Sequence, residues 1–151
     1  MELESYIVGF TDGEGCFSVS FSKRNKMKMG IEVRPSFSVS QHLRNKKILR
    51  RFRRFFKCGS IRFSRRDQTY KYEVRSTSEL VDKVIPHFKK YPLQTSKAQS
   101  FRKLCEICRI IQQGNHLSPK GMKKVILLSE EVNKTGLKKY DRKKLLKLIA
   151  R

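Results

Sequence analysis

The chain has 151 residues, of which 36 are Lys or Arg and 13 are Asp or Glu, so its formal net charge is +23 at pH 7. Hydrophobic residues make up 38% of the chain and aromatic residues 10%, which is enough for a packed core and excludes a disordered basic tail. This length favours one domain over residues 1–151. A charge this high would repel itself unless a polyanion neutralised it; nucleic acid is the commonest such partner, and an anionic membrane surface is the poorer alternative.

Membrane and secretion signals are not indicated by the sequence. No run approaches the roughly 18 consecutive apolar residues of a membrane helix. The acidic start Met1-Glu2-Leu3-Glu4 lacks the basic-then-apolar plan of a secretory signal. We therefore expect an intracellular protein, in the cytoplasm of a prokaryote or in an organelle, that acts on neither a membrane nor a small-molecule substrate.

The four cysteines do not form the dense framework of a small secreted fold, and we expect reduced thiols. Cys105 and Cys108 form a C-x-x-C pair, but no second pair lies at metal-finger spacing. Phe101, Leu104 and Ile111 continue the same helical stripe, which favours core packing. Zinc binding or a redox role is the alternative. The three histidines are scattered and are assigned no catalytic role.

The first third of the chain predicts a helix and a hairpin. Apolar residues at helical spacing predict a short helix over residues 2–12 that stops in the segment Asp12-Gly13-Glu14-Gly15. Strict apolar and polar alternation then predicts two strands, beginning at Phe17 and at Ile31, which form a long hairpin. Pro35 in the second strand indicates an edge strand or a bulge.

The rest of the chain predicts a helix over Asn45–Phe56 and strands over Ser60–Ser64 and Thr69–Ser76. Four further helices are predicted, separated by Tyr91-Pro92, Gly114 and Gly136; they cover Ser78–Phe88, Ser96–Ile111, Ser118–Glu131 and Asp141–Ala150. This order predicts an α+β fold. It has an αββαββα core with a four-stranded antiparallel sheet backed by helices, plus C-terminal helices.

One face of the predicted sheet is apolar and the other is polar and basic. Helices must cover the apolar face, and the open polar face suits a nucleic-acid groove, an ordinary solvated face being the alternative. The charge excess and the basic residues at the hairpin turns favour binding. The residues expected to contact nucleic acid are Ser18, Ser20, Ser22, Arg24, Lys26, Lys28, Arg34, Ser36, Ser38, Arg62, Arg65, Arg66, Lys71, Glu73 and Arg75.

Two acidic residues, Asp12 and Glu14, stand close together in this basic chain. Carboxylates beside nucleic acid repel phosphate, unless a hard divalent cation held by oxygen ligands bridges the two. This reasoning predicts metal-dependent phosphodiester cleavage. The alternative is that both are turn residues, because Asp-Gly is a common turn dipeptide.

The segment Ile7-Val8-Gly9-Phe10-Thr11-Asp12-Gly13-Glu14-Gly15 resembles the motif of the LAGLIDADG homing endonucleases, which are intron- or intein-encoded DNA cleavers. Further segments are similar to family landmarks in the same order; they are Phe37–Gln41, Cys58–Ile61, Tyr91–Lys97, His116–Ser118 and Gly121. The chain departs from the family pattern at three places. Ile7-Val8 replaces Leu-Ala, Thr11 is polar at a usually aliphatic site, and Glu14 replaces Asp.

The resemblance implies the homing-endonuclease fold and a site-specific double-strand DNA endonuclease. The family places two motif helices side by side, and this chain has one motif, so the resemblance implies a homodimer on a long pseudo-palindromic target. Gly9 and Gly13 are four residues apart and lie on one helix face, which would let the second helix approach closely. Asp12 would cap turn amides beside this interface.

The resemblance also implies site residues. Glu14, with the Gly13 carbonyl, would hold Mg²⁺ or another divalent cation such as Mn²⁺. Gln41 matches the residue that orders water near the metal. Lys97 matches the basic residue near the scissile phosphate, and Lys90 is its rival. An RNA-splicing maturase and a catalytically inactive DNA-binding protein on the same fold are the alternative functions.

Overall fold

The computed structural model describes residues 2–134 and 140–150. Its first elements follow the order helix, two strands, helix, two strands, and they are α1 (Leu3–Glu14), β1 (Gly15–Lys23), β2 (Ile31–His42), α2 (Lys46–Phe56), β3 (Ser60–Ser64) and β4 (Thr69–Val74). The later helices are α3 (Thr77–Glu79), α4 (Ile85–Lys90), α5 (Lys97–Gln112), α6 (Pro119–Ser129) and α7 (Arg142–Ile149). The predicted α+β order is confirmed. The predicted break at Gly136 lies outside the described residues.

The four strands form one antiparallel sheet in the order β1-β2-β4-β3. Phe37 of β2 lies between Phe17 of β1 and Val74 of β4, all on one face. Helices cover this apolar face through aromatic rings. Phe52 of α2 lies 6.4 Å and Phe88 of α4 lies 5.5 Å from the Phe37 ring centre. The sheet therefore has one face that is buried under helices.

The helix α1 is longer than predicted, because it continues through Asp12 and Gly13 to Glu14 and passes directly into β1. The helix was predicted to stop within residues 12–15, and its last residue, Glu14, lies in that segment. An Asp side chain breaks a helix when it bonds to its own backbone, but the carboxylate of Asp12 bonds to residues 94 and 95 instead. The backbone at Glu14 can therefore stay helical.

Pro35 lies in β2, which is a central strand of the sheet as a whole but has an edge at this position, as expected for proline. β2 has β1 on one side and β4 on the other. However, β4 ends at Val74, opposite Phe37, whereas Pro35 pairs only with Val19 of β1. At Pro35 the strand has one neighbour, and the missing N–H of proline is tolerated there.

The predicted helix over Ser78–Phe88 contains a π-helical turn at Leu80–Val84, between α3 and α4. The amide of Ile85 donates to the carbonyl of Leu80, five residues earlier. Pro86 has no N–H to donate, and the π turn places it in the first turn of α4, where no intrahelical N–H bond is required.

The C-x-x-C pair belongs to the core. Cys108 is fully buried and Cys105 is half-buried, and burial raises the pKa of Cys105 to about 11 and that of Cys108 to about 12. Both thiols are free. Over residues 2–134 and 140–150, the structure shows no group of three or more His, Cys, Asp or Glu that could hold a metal ion. The core-packing interpretation therefore holds for this pair.

The same two ranges contain no helix that is both long enough and apolar enough to cross a membrane.

Because His87 packs among aromatic rings, the free energy of unfolding should depend on pH. Its ring packs 4.9 Å from that of Phe55, and burial lowers the pKa of His87 from 6.5 to about 4. Between these values the unfolded histidine binds a proton and the folded one does not, so the free energy of unfolding should fall as pH drops from 6.5 towards 4. Urea unfolding at pH 7 and pH 5 measures this difference.

The variant His87→Phe should show a smaller loss of stability between these two pH values. The exposed His42 gives the control, since His42→Ala should retain the pH dependence of the parent protein. If the parent and His87→Phe lose equal stability at pH 5, His87 is not the group responsible.

Candidate functional site

The carboxylate of Asp12 ties the C-terminal end of α1 to the loop before α5. It accepts hydrogen bonds from the backbone amides of Gln94 at 2.9 Å and Thr95 at 3.1 Å, and from the Thr95 hydroxyl at 2.7 Å. Burial alone would raise the pKa of Asp12, but the hydrogen bonds from Thr95 and Gln94 outweigh it and lower that pKa. Asp12 therefore acts as an anchor for the loop and has little capacity left to bind a metal.

Lys97, the first residue of α5, reaches back to the same end of α1. Its Nζ donates to the carbonyl oxygens of Thr11 at 3.2 Å and Asp12 at 2.9 Å. These carbonyls carry the negative end of the helix dipole, which favours a cation. The ammonium group of Lys90 lies instead over the ring of Tyr91, at 5.6 Å. The structure thus brings Lys97, and not Lys90, to the motif.

Glu14 is the last residue of α1, and its side chain is exposed. It makes no hydrogen bond or ion pair with any residue that the structure describes. The backbone of Gly13 beside it is also exposed. A carboxylate and a carbonyl are hard oxygen donors of the kind that Mg²⁺ prefers. They fit a divalent cation, but they supply too few ligands alone, so the others would have to come from outside this chain.

Gln41 lies at the end of β2, two residues beyond Val39, which pairs with Gly15. Its Oε1 accepts a hydrogen bond from Asn45 Nδ2 at 3.3 Å. It lines a cleft of about 550 Å³ with Tyr6 and other residues of α1 and α2. Gln41 therefore lies beside the motif helix, and its hydrogen bond goes to Asn45 and not to Glu14. Sequence reasoning missed Asn45, because the turn between β2 and α2 that brings it to Gln41 has no spacing rule of its own.

One face of α1 is left open by the chain's own packing. The helix buries Ile7, Val8 and Thr11, whereas Gly9 and Gly13 are exposed. A methyl group added at either glycine would meet no described atom within 4 Å, apart from its own helix turn. Packing within this chain therefore does not explain why these two positions are glycine.

The predicted polar residues of the sheet lie on one face. Across the strands, Ser18 is opposite Ser36, Ser20 is opposite Arg34, and Arg62 is opposite Lys71. The exposed residues at the two hairpin turns include Arg24, Lys26, Lys28, Arg65 and Arg66. The structure brings the sequence-predicted binding residues together in one basic surface, which we call the polar face.

Three of these residues are too buried for the direct contacts predicted for them. Glu73, which exposes 9% of its surface, forms ion pairs with Arg62 at 2.8 Å, Lys71 at 3.7 Å and Arg75 at 3.9 Å. Ser36 and Ser38 expose 7% and 4%, because they lie in the middle strand and neighbouring side chains cover them. Glu73 therefore positions basic side chains, and the two serines form the floor of the polar face.

A second carboxylate, Glu32, has the same role and was missed by sequence reasoning. It forms an ion pair with Arg24 at 2.8 Å and another with Arg34. Its place two residues before Arg34 on the same face of β2 was the available signal. Ser40 was also omitted from the prediction, although it is exposed opposite Lys71.

Cys16 is the second residue of β1 and lies between the motif and the polar face. Burial raises the pKa of its thiol, while the positive charges of Lys71 and Lys97 oppose that increase. The side chain of Asn133 donates to Cys16 Sγ at 3.4 Å. Because Cys16 follows Glu14 by two residues, the exposed carboxylate, Lys97 and the basic face all meet at the start of β1.

The two motif acids should differ sharply in their effect on folding. Asp12→Asn replaces a charged acceptor of three hydrogen bonds, and we expect a loss of about 1–2 kcal/mol in the free energy of unfolding, after allowing for solvent screening. Glu14→Gln is the matched control and should leave stability unchanged. Urea unfolding at pH 7 tests both, and equal losses would contradict the anchoring role of Asp12.

Comparison with known proteins places this geometry in a family. Residues 7–108 match the model of a family described as LAGLIDADG endonuclease. The probable intron-encoded DNA endonuclease 1 of Mycosarcoma maydis is 28% identical over 141 residues, which cover 93% of this chain and 50% of that protein. The chain spans half the length or less of the first curated relatives that it matches.

Two solved structures are also similar. The homing endonuclease I-TnaI is 35% identical with a TM-score of 0.86, over 99% of this chain and 98% of that one. I-SmaMI, bound to an uncleaved DNA target in the presence of calcium ions, is 31% identical with a TM-score of 0.85, over 92% of this chain and 47% of that one. Another structure of I-SmaMI contains cleaved DNA.

Proposed function

Because this chain belongs to the LAGLIDADG endonuclease family, we propose that it is a site-specific endonuclease that hydrolyses a phosphodiester bond in each strand of duplex DNA. The observation that carries the proposal is the exposed, unpartnered carboxylate of Glu14 at the edge of a basic face. The chain has a net charge of +23, yet this carboxylate pairs with no Lys or Arg that the structure describes. A carboxylate left exposed in this way is consistent with metal binding.

The proposed enzyme is a homodimer that joins through α1. The open glycine face of the helix, with Gly9 and Gly13, allows a second helix to approach at backbone distance. The chain covers 98% of I-TnaI but 47% of I-SmaMI, so a pair of such chains has about the length of the second protein. Pairing two copies brings two Glu14 carboxylates together and presents the polar face twice, which suits a pseudo-palindromic target.

Glu14 and the Gly13 carbonyl of each copy would hold a divalent cation, with phosphate oxygens completing its ligands. We propose Mg²⁺, with Mn²⁺ as a substitute, since all these donors are oxygen. A bound cation of this kind lowers the pKa of water and stabilises the leaving oxygen.

Lys97 and Gln41, which both lie beside α1, assist the reaction. An ammonium group has three N–H donors, and Lys97 uses two of them on the carbonyls of Thr11 and Asp12. The third can bond to a phosphate oxygen and offset the charge that develops there. Gln41, held by Asn45, has its amide N–H groups left to orient water.

The polar face binds the duplex mainly through its basic residues. Glu73 and Glu32 fix the directions of five of them, and a guanidinium held in one direction can discriminate a guanine by about 1–3 kcal/mol. Exposed hydroxyls such as Ser20 and Ser40 accept contacts from several bases, so recognition is spread over a long target.

Glu14→Gln tests the catalytic assignment. The purified protein and Mg²⁺ are incubated with a library of duplex targets, and the cleaved ends are sequenced to obtain the target. We expect Glu14→Gln to abolish cleavage of this target while duplex affinity stays within about tenfold, because the carboxylate binds metal and not DNA.

Glu106→Gln is the control, because it removes a partly exposed carboxylate from α5, away from the motif. It should cut at the parent rate. Normal cutting by Glu14→Gln would refute the assignment, and a target without two-fold symmetry would refute the homodimer.

Gly13→Leu tests the interface. A Cβ added at Gly13 meets no described atom within 4 Å beyond its own helix turn, so folding should be preserved, but the leucine side chain would hold the two helices apart. We expect a folded monomer without cleavage activity, measured by sedimentation velocity and circular dichroism. Gln99→Leu, at an exposed position of α5, should remain a dimer. A fully active Gly13→Leu dimer would contradict the interface.

A further inference from the structure

A second basic surface lies on α2. Residues 46–57 contain seven Lys or Arg and no acid. Four of these residues, Arg50, Arg53, Arg54 and Lys57, are spaced by three or four and are all exposed, so they form one stripe along the helix. With Gly59 they line a cleft of about 660 Å³, which we call the α2 cleft.

The α2 cleft is separate from the polar face. α2 packs on the apolar side of the sheet, where Phe56 lies 5.7 Å from Phe37 and Phe52 lies 6.1 Å from Tyr72. The sheet therefore stands between the stripe and the polar face. A duplex bound to the polar face would leave the cleft free.

The α2 cleft is also turned away from the proposed dimer interface. Arg51 lies 5.3 Å from the ring of Tyr6 and Phe52 lies 5.6 Å from that of Phe10, so α1 packs against one flank of α2. At 100° per residue, the stripe lies on the opposite flank. A second copy of the chain on α1 would not cover it.

The charges of the α2 cleft are not neutralised within the chain. None of its four basic residues forms an ion pair with a residue that the structure describes, and Glu79 is the one acid seen lining the cleft. Arg50 and Arg54 are four apart, as are Arg53 and Lys57, and like charges at this spacing destabilise a helix. Such a helix is suited to an anionic ligand that offsets the repulsion.

We propose that the α2 cleft binds the phosphodiester backbone of a second nucleic-acid strand while the polar face holds duplex DNA. The stripe runs over the eight residues from Arg50 to Lys57, a rise of about 10 Å, which corresponds to about three phosphates at the spacing of a stacked strand. Guanidinium groups bind phosphate through paired hydrogen bonds. The cleft is lined by basic residues, Cys58, Gly59 and Glu79, without an aromatic platform for bases, so the backbone is the part recognised.

The test measures binding of labelled single-stranded oligouridylate and oligothymidylate by fluorescence anisotropy, with the protein first saturated with unlabelled duplex. The triple variant Arg50→Gln, Arg53→Gln, Arg54→Gln should lose about tenfold in strand affinity at moderate salt, and its log–log salt slope should be shallower by about two. Duplex cleavage should be unchanged, so this result is independent of the endonuclease proposal.

The matched control removes three exposed lysines of α7, with Lys143→Gln, Lys144→Gln and Lys147→Gln. It should lose less than twofold in strand affinity. Equal affinity for the two strands would support recognition of the backbone alone, and tighter binding of oligouridylate would support it with an added contact to the 2′-hydroxyl. An equal loss in both triple variants, or displacement of the strand by duplex, would overturn the proposal.

Discussion

The contact on which the site depends is the one between the Asp12 carboxylate and the loop before α5. It joins residues more than 80 positions apart in the chain, and it determines where α5 begins. Because α5 begins there, the Lys97 side chain can return to the last carbonyls of α1. Hydrogen bonds from the loop before α5 and from Lys97 thus hold the C-terminal end of α1 in place. Glu14, the last residue of the helix, makes none of these contacts and stays exposed.

Three acids of the chain fix the positions of hydrogen-bond donors and basic side chains. Asp12, Glu32 and Glu73 each hold two or more donors in place. Glu73 is nearly buried, so its pairs are screened less by solvent than ordinary surface pairs. The basic side chains of the polar face are therefore held in fixed directions by these acids. The basic side chains of the α2 cleft have no such partners among the described residues.

The order of the elements and the polar face could be predicted from the sequence, because strict alternation with a period of two assigns each strand residue to a face. The contacts of Asp12 could not be predicted in this way. Its dipeptide with Gly13 favours a turn locally, and the loop residues that prevent the turn are too distant in sequence to be inferred. The burial of Ser36 and Ser38 and the local edge at Pro35 depend on where neighbouring strands begin and end, which alternation does not specify.

The shared carboxylate of Glu73 has a consequence for any attempt to redirect this protein to a new target. This carboxylate pairs with Arg62 of β3, with Lys71 of β4 and with Arg75, which follows β4. Replacing one of them frees part of that carboxylate and changes the positions of the other two. In the DNA-binding role proposed for the polar face, preferences at neighbouring base pairs would then not combine independently. Redesign of this surface would have to select the three positions together, as one unit.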